Sequence, residues 1–271
     1  MPNVPDKLRA ILDYKKDEVA ALKKARTLAS FEADAKAQSK PRGFAEALLR
    51  IAADDGNALI CEVKRKSPSA GNINTQRSPI DAAKAYEQGG AACISVLTDG
   101  PSFGGSLDDM IQVRSAISLP VIRKDFMIDP IQVAEARAAG ADAILIIIGA
   151  MDDVLAQELH DAADGYGLSV LLEAHDEAEF IRAIGFTSPL IGVNNRDLRT
   201  FTTDLGVTER LADLAPDLAG SNRLLISESG VKTPADVSRL RQCGARGFLI
   251  GESLMRSENP AESVRSLAEA R

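Results

Sequence analysis

The chain has 271 residues, of which 45% are apolar and 26% are charged, and its net charge is −7 at pH 7. This composition is typical of a folded globular protein and argues against intrinsic disorder. The acidic balance argues against a broad basic surface of the kind that binds nucleic acid. No apolar stretch approaches the ~20 residues of a membrane span, so we expect neither a nucleic-acid nor a membrane partner.

The three cysteines indicate a reducing compartment. Cys61, Cys93 and Cys243 are far apart, show no CxxC spacing, and each lies in or beside an apolar run. This pattern favours small core residues over disulfides or a metal site. The first residues also lack the apolar stretch of a secretory signal. We therefore expect a cytoplasmic location.

Residues 1–50 show a charged helical pattern, with Leu8, Ile11, Leu12 and Val19 at helical spacing. The pattern predicts an N-terminal helical extension, followed by a single catalytic domain over residues 51–271. The extension either covers the wall of that domain or forms a lid over its active site, and the sequence leaves both possibilities open.

A repeated unit organises the rest of the chain. Gly-Ala pairs at Gly90, Gly140 and Gly244 each precede a short apolar run. Their intervals are multiples of about 26 residues, which is the length of one strand, one helix and two loops. Including the apolar runs between these pairs, the predicted strands are 57–64, 92–98, 119–123, 142–148, 168–173, 189–193, 223–227 and 246–250. The predicted helices are 79–88, 106–116, 130–139, 151–164, 175–184, 204–213, 233–242 and 260–270.

This alternation of strand and helix predicts an α/β fold, a closed (β/α)8 TIM barrel with parallel strands. An open, doubly wound sheet is the architectural alternative, but no GxGxxG motif follows the first strand. In a barrel the active site lies at the carboxyl ends of the strands, so polar residues at those positions are the candidate functional residues.

Charged residues end the first, third and fifth predicted strands. Glu62 and Lys64 share one face of the first strand by period-two alternation. Lys124 ends the third strand and Glu173 the fifth. A buried lysine close to other cations loses enough pKa to donate a proton at neutral pH, and a desolvated glutamate is a suitable proton-transfer partner. Salt bridges of purely structural value are the alternative interpretation.

The later strand ends indicate an anionic ligand. Asn194 and Arg196 lie two positions apart at the end of the sixth strand, and suit a polar or anionic substrate. The segments SESGV from Ser227 and IGES from Ile250 follow the seventh and eighth strands. Their glycines expose backbone amides of the kind that bind phosphate in barrels. His175 is interpreted as a capping or surface residue, and His160 as a solvated one.

Several blocks, in this order, resemble the indole-3-glycerol phosphate synthase family along essentially the whole chain. The blocks are EVKRKSPSAG, LTDGPSFGGS, PVIRKDFMIDPIQVAEARAAGADAILI, LLEAHDEAEF, IGVNNRDLRTF, SESGV and FLIGESLMR. One departure is Ala70, where the family often has a basic residue.

The resemblance implies a lyase of tryptophan biosynthesis that closes, decarboxylates and dehydrates 1-(2-carboxyphenylamino)-1-deoxyribulose 5-phosphate. No metal and no organic cofactor are implied, and the chain would be a monomer or a weak homo-oligomer. By similarity Lys124 is the general acid, and Glu173 with either Lys124 or Lys64 moves the later protons. Catalysis also involves Glu62, Asn194 and Glu228 by similarity, and the implied substrate contacts are Ser67, Phe103, Phe126, Arg196, Ser229, Gly230, Gly251 and Glu252.

Two alternatives remain at this point. A sister barrel such as phosphoribosylanthranilate isomerase shares the phosphate loops but uses a Cys and Asp pair, and no cysteine here ends a predicted strand beside an aspartate. A non-catalytic barrel scaffold would keep the glycine loops without the charged residues at the strand ends.

Overall fold

The chain begins with three helices, and the first of them has the regularly spaced apolar residues that the sequence analysis noted. The computed structural model describes residues 5–68, 71–73 and 76–271, and begins with α1 (Asp6–Ala25), α2 (Leu28–Ala37) and α3 (Phe44–Ala53). Helix α1 buries one face, formed by residues three or four positions apart, namely Leu8, Ile11, Lys15 and Val19. Since α3 continues past position 50, the division of the chain at that residue stays a prediction.

Eight parallel strands close into a barrel, which confirms the predicted fold. Around the barrel their order is β1-β8-β7-β6-β5-β4-β3-β2, so the first strand pairs with the last. The strands are buried almost throughout, as expected where helices cover a parallel sheet. Their bounds are β1 (Ala58–Val63), β2 (Cys93–Leu97), β3 (Val121–Lys124), β4 (Ala143–Ile147), β5 (Ser169–Ala174), β6 (Leu190–Asn194), β7 (Leu224–Glu228) and β8 (Gly247–Ile250).

Capping side chains begin most of the helices that follow the strands. Asp129 and Thr233, for example, each form a capping box with the third residue of the helix. The bounds are α4 (Pro79–Gly89), α5 (Gly100–Phe103), α6 (Leu107–Ala116), α7 (Pro130–Ala138), α8 (Asp153–Gly165), α9 (Glu177–Ile184), α10 (Gly206–Ala212), α11 (Pro234–Gln242), α12 (Glu252–Arg256) and α13 (Pro260–Ala268). The short helices α5 and α12 were not predicted. A small antiparallel pair, Lys66–Ser67 with Gly71–Asn72, was not predicted either.

The extension contacts both the wall and the mouth of the barrel. Helix α2 packs against α7, and Val19, Phe31 and Ile131 lie in a small second core between extension and barrel. The first turns of α1 cross the carboxyl ends of the strands, where Leu8 and Ile11 line the central cavity. The extension thus covers the active-site face as well as one side.

The structure corrects the prediction for His160. His160 in α8 is buried rather than solvated, with 3% of its surface exposed. Its Nδ1 lies 3.4 Å from Asp164, and its ring lies 6.2 Å from the ring of Phe186. The prediction of a solvated His160 was wrong because the turn after α9 places the ring of Phe186 beside this side chain.

No helix among the described residues is both long and apolar enough to cross a membrane.

Candidate active site

A cavity of about 560 Å³ opens at the carboxyl ends of the strands. All the residues predicted from the sequence to form the site line this one cavity, although they come from distant parts of the chain. They are Glu62, Lys64, Ser67, Phe103, Lys124, Phe126, Glu173, Asn194, Arg196, Glu228, Ser229, Gly230, Gly251 and Glu252. Helix α1 adds Lys7, Leu8 and Ile11, which the sequence did not single out as site residues.

Lys124 ends β3 and reaches across the barrel to two carboxylates. Its Nζ donates to Glu173 Oε2 at 2.9 Å and to Glu228 Oε2 at 3.1 Å. Burial alone would lower the pKa of Lys124, but the two carboxylates outweigh burial and raise this pKa above its usual value. The expectation of a lowered lysine pKa was therefore wrong, because the neighbours of Lys124 are anions rather than cations.

Glu173 accepts hydrogen bonds from two directions. Besides Lys124, Asn194 Nδ2 donates to Glu173 Oε1 at 3.2 Å. Burial would raise the pKa of Glu173, but Lys124 and then His175 hold this pKa well below its usual range. Glu173 is therefore an anion at neutral pH, despite an exposed fraction of only 3%.

Glu228 differs from Glu173 in its proton affinity. It ends β7 directly opposite Asn194 in the strand register, and is 1% exposed. Burial raises the pKa of Glu228 to about 8, with Glu173 adding to the rise and Lys124 opposing it. Within the described part of the chain, Glu228 Oε1 has no hydrogen-bond partner. The two carboxylates that contact Lys124 thus differ in proton affinity, since the pKa of Glu173 is lowered and the pKa of Glu228 is raised.

Two glycines provide the room for site carboxylates. A Cβ at Gly192 would lie 2.2 Å from Glu228 Oε1, and a Cβ at Gly251 would lie 2.6 Å from Glu62 Oε1. Glu62, the fifth residue of β1, in turn contacts Lys64 Nζ at 2.7 Å. These glycines allow buried glutamates inside a barrel that is otherwise filled by larger side chains.

The loops after β7 and β8 also line the cavity. Ser229 and Gly230 both adopt positive φ, 64° and 88°, which turns the backbone sharply after Glu228. Arg196 Nη2 lies 3.9 Å from Glu252 Oε2, and Arg256 Nε lies 3.2 Å from Glu252 Oε1. Ser67 also lines the cavity, whereas Ala70 lies outside the described residues.

Two aromatic side chains, Phe103 and Phe126, also line the cavity. The rings of Phe103 and Phe126 have centroids 6.1 Å apart and are tilted by 35°. Phe103 belongs to α5, so this unpredicted helix places one of the two rings. The pair offers apolar surface to a flat ligand.

Two charged residues next to the site have partners that the sequence did not reveal. Asp125 is buried and contacts Lys15 of α1 at 2.8 Å, not Lys124. His175 was interpreted as a capping or surface residue, but its side chain is 13% exposed and Nε2 lies 3.2 Å from Glu173 Oε1. The cap of α9 is Asp176 instead. The Lys15 contact joins distant parts of the chain, and no local pattern signals it. Glu173, by contrast, lies only two positions before His175, at the period-two spacing of an extended strand, and this signal was missed.

The cysteines do not supply a catalytic thiol. Cys61 and Cys93 are buried inside strands, and burial raises the pKa of each thiol. Neither lines the cavity. A Cys and Asp pair at the strand ends, as the isomerase alternative requires, is therefore absent from the described lining. Among the described residues, no group of three or more His, Cys, Asp or Glu side chains could hold a metal ion.

Comparison with known proteins agrees with this arrangement. The family model described as indole-3-glycerol phosphate synthase matches residues 8–267. The indole-3-glycerol phosphate synthase of Hyphomonas neptunium is 59% identical, over 96% of this chain and 97% of its own length. Those of Rhodospirillum rubrum and Azospirillum brasilense are 50% and 47% identical, each over 97% of this chain and 98% of their own length. The chain therefore belongs to the indole-3-glycerol phosphate synthase family.

Proposed function

We propose that the chain uses this cavity to convert 1-(2-carboxyphenylamino)-1-deoxyribulose 5-phosphate into indole-3-glycerol phosphate, carbon dioxide and water. Family membership supports the activity, and one structural observation supports its location: Lys124 lies between Glu173 and Glu228 in the floor of the cavity. A cationic acid between two carboxylates of different proton affinity is suited to a reaction that adds and removes protons in turn.

In the first step we assign the proton donor to Lys124. Its ammonium would donate to the ketone oxygen of the substrate, which makes the adjacent carbon electrophilic towards the aromatic ring. A raised lysine pKa is compatible with this role, because the oxygen becomes far more basic as the new carbon–carbon bond forms. The attack leaves a positive charge on the ring system. Cleavage of the bond to the carboxylate then releases carbon dioxide, and the electron pair of that bond returns to the ring and restores its aromaticity.

In the dehydration step we assign the proton acceptor to Glu173. Lys124 and Asn194 both donate to this carboxylate, and so fix its orientation. The geometry favours Lys124, after it has regained a proton from solvent, over Lys64 as the second proton donor, since Lys64 contacts Glu62 rather than Glu173. Lys64 would instead pair with the carboxylate of the substrate, and Glu228 would donate to a hydroxyl group.

The remaining contacts suit the two ends of the substrate. Phe103 and Phe126 would flank the anthranilate ring. Backbone amides after β7 and β8 would hold the phosphate, and Arg196 would add positive charge near it. The proposed phosphate contacts are Ser67, Ser229, Gly230, Gly251 and the amide of Glu252.

We also propose that the chain works in the cytoplasm as a monomer or weak homo-oligomer, without a nucleic-acid partner. The free state of its cysteines and its net charge of −7 support the compartment and the absence of nucleic acid. The exposed large apolar side chains support a weak tendency to associate, because they are few and lie on different segments of the described chain. They are Leu28, Ile111, Val154, Ile181 and Leu214.

A direct assay tests the activity. Purified protein is incubated with the ketose phosphate, and the indole absorbance of the product and the release of carbon dioxide are followed together. We expect equal amounts of both products. Unchanged substrate would overturn the proposal, and so would isomerisation without release of carbon dioxide.

A further inference from the structure

We propose that His175 is a positioning residue that keeps the negative charge of the site on Glu173 rather than on Glu228, while Glu179 holds its imidazole in place. The proposal rests on the proposed function, in which Glu173 must be ionised to accept a proton.

The His175 ring lies between two carboxylates. Nδ1 lies 3.0 Å from Glu179 Oε2 and forms a hydrogen bond with it, whereas Nε2 lies 3.2 Å from Glu173 Oε1 without the alignment of a hydrogen bond. A neutral imidazole has only one N–H, so a ring that donates through Nδ1 would leave the lone pair of Nε2 close to a carboxylate oxygen. A second proton on Nε2 turns this repulsive contact into an attractive one. The short distances to both carboxylates therefore favour a cationic histidine.

The charges around Lys124 show why a second cation matters. One ammonium contacts two carboxylates at 2.9 and 3.1 Å, and two buried carboxylates this close do not both ionise easily. The positive charge of a protonated His175 lies next to Glu173. Opposite Glu228 lies Gly192, which has no side chain. The asymmetry places the negative charge on Glu173 and leaves the proton on Glu228.

The charged groups that face the imidazole come from two elements. Glu173 belongs to β5 and Glu179 to α9, and Lys124 from β3 lies beyond Glu173. Burial would lower the pKa of His175, but the two carboxylates raise it to about 10. This direction agrees with the geometric argument, because His175 then stays charged throughout the neutral range.

Glu179 is itself held by neighbouring segments. The backbone N–H of His175 donates to Glu179 Oε2 at 2.8 Å, so one carboxylate oxygen contacts both the backbone and the ring of the same residue. A Cβ at Gly149, just after β4, would lie 2.1 Å from Glu179 Oε1. The absence of a side chain at position 149 thus leaves the space that Glu179 occupies.

The protonation state of His175 can be measured without substrate. The chain has two histidines, so the ¹⁵N imidazole spectrum contains two ring systems, and His160→Gln assigns them. We expect His175 to carry protons on both nitrogens at about pH 8, well above the usual histidine pKa of about 6.5. A ring that titrates near that usual value would overturn the proposal, whether or not the protein turns over substrate.

The kinetic test compares His175→Gln, His175→Lys and the control His160→Gln. In His175→Gln the pKa of Glu173 should rise, because this carboxylate loses a neighbouring cation. The fall of kcat/KM at acid pH should therefore occur at a pH higher by about one unit or more. KM above this pH range should change little, and His175→Lys should restore part of the shift. His160→Gln should keep the wild-type profile. A wild-type fall at acid pH in a folded His175→Gln protein would overturn the proposal.

These measurements distinguish a failure of the proposed function from a failure of the positioning role of His175. If the wild-type protein forms no indole product, the proposed function fails, and the ¹⁵N spectrum still decides the state of His175. If the wild-type protein is active but His175 is neutral at about pH 8, only the positioning role fails. The spectrum of the unmodified protein also keeps the test decisive if His175→Gln does not fold.

Discussion

Lys15 Nζ lies 2.8 Å from Asp125 Oδ1, and both side chains are almost wholly buried. This contact joins the first helix to the residue directly after Lys124. Lys15 also contacts Asp99 at 3.0 Å, and the hydroxyl group of Tyr14 donates to Asp99 at 2.7 Å. Helix α1 is thus attached to the active-site end of the barrel by buried charges as well as by apolar contacts.

Replacing Lys15 should therefore destabilise the protein strongly. Lys15→Met leaves buried carboxylates without their ammonium, a change that costs about 3–5 kcal/mol. The measurement is the denaturant midpoint in equilibrium unfolding. The matched control is Lys16→Met, which removes a neighbouring lysine whose ion pair with Asp13 is exposed and should matter little. Equal midpoints for the two variants would show that α1 is held by its apolar face alone.

Removing Lys124 should abolish the chemistry while leaving substrate binding largely intact. Lys124→Ala is expected to lower kcat by roughly 10²–10⁴-fold, the range for a general acid, since proton donation matters mostly in the transition state. Single-turnover formation of indole and equilibrium titration with substrate measure the two effects separately. Turnover close to that of the wild-type protein would remove Lys124 from the role of acid. A thermal melt of the variant establishes that it is folded.

The ionisation of Glu228 should make kcat fall at alkaline pH. Its folded-state pKa of about 8 lies above the usual glutamate value, so the native protein keeps a proton there that the unfolded chain releases. Activity that needs the protonated form is full below this pKa and falls as the pH rises through it. The pH profile of kcat is the measurement, and Glu228→Gln should remove the fall near pH 8. An unchanged fall in that variant would assign it to another group.

Gly251→Ala should displace Glu62. The φ of Gly251 is −127°, outside the left-handed region that favours glycine, but its Cβ would lie 2.6 Å from Glu62 Oε1. Glu62 must then move and weaken its contact with Lys64, so we expect a drop in kcat/KM. Gly165→Ala is the matched control, because no atom lies within 4 Å of its added Cβ. Equal kcat/KM values for both variants would show that Glu62 can shift without consequence.

The fold and most of the cavity lining could be predicted because they depend on local patterns. Short apolar runs after Gly-Ala pairs marked the strands, and the rule that barrel sites form at strand ends then brought Lys64, Lys124 and Glu173 together. Neither step required knowledge of which strands are neighbours across the barrel.

The electrostatics of the site could not be predicted in the same way. The pKa of Lys124 depends on Glu173 and Glu228, which are far from it in sequence but contact its ammonium. The burial of Asp125 depends on Lys15, from a helix whose docking position no sequence pattern specifies. Charge states follow from three-dimensional neighbours, and spacing along one element does not identify these neighbours.

The pairing of β1 with β8 has a consequence for synthesis of the chain. Leu59 and Phe248 are register partners, so the ring of hydrogen bonds is completed only when the last strand has been made. Until then β1 and β7 have unpaired edges that can bind other strands. Nascent chains that contain β7 but not yet β8 should therefore be targets for chaperones, and should aggregate if none is available.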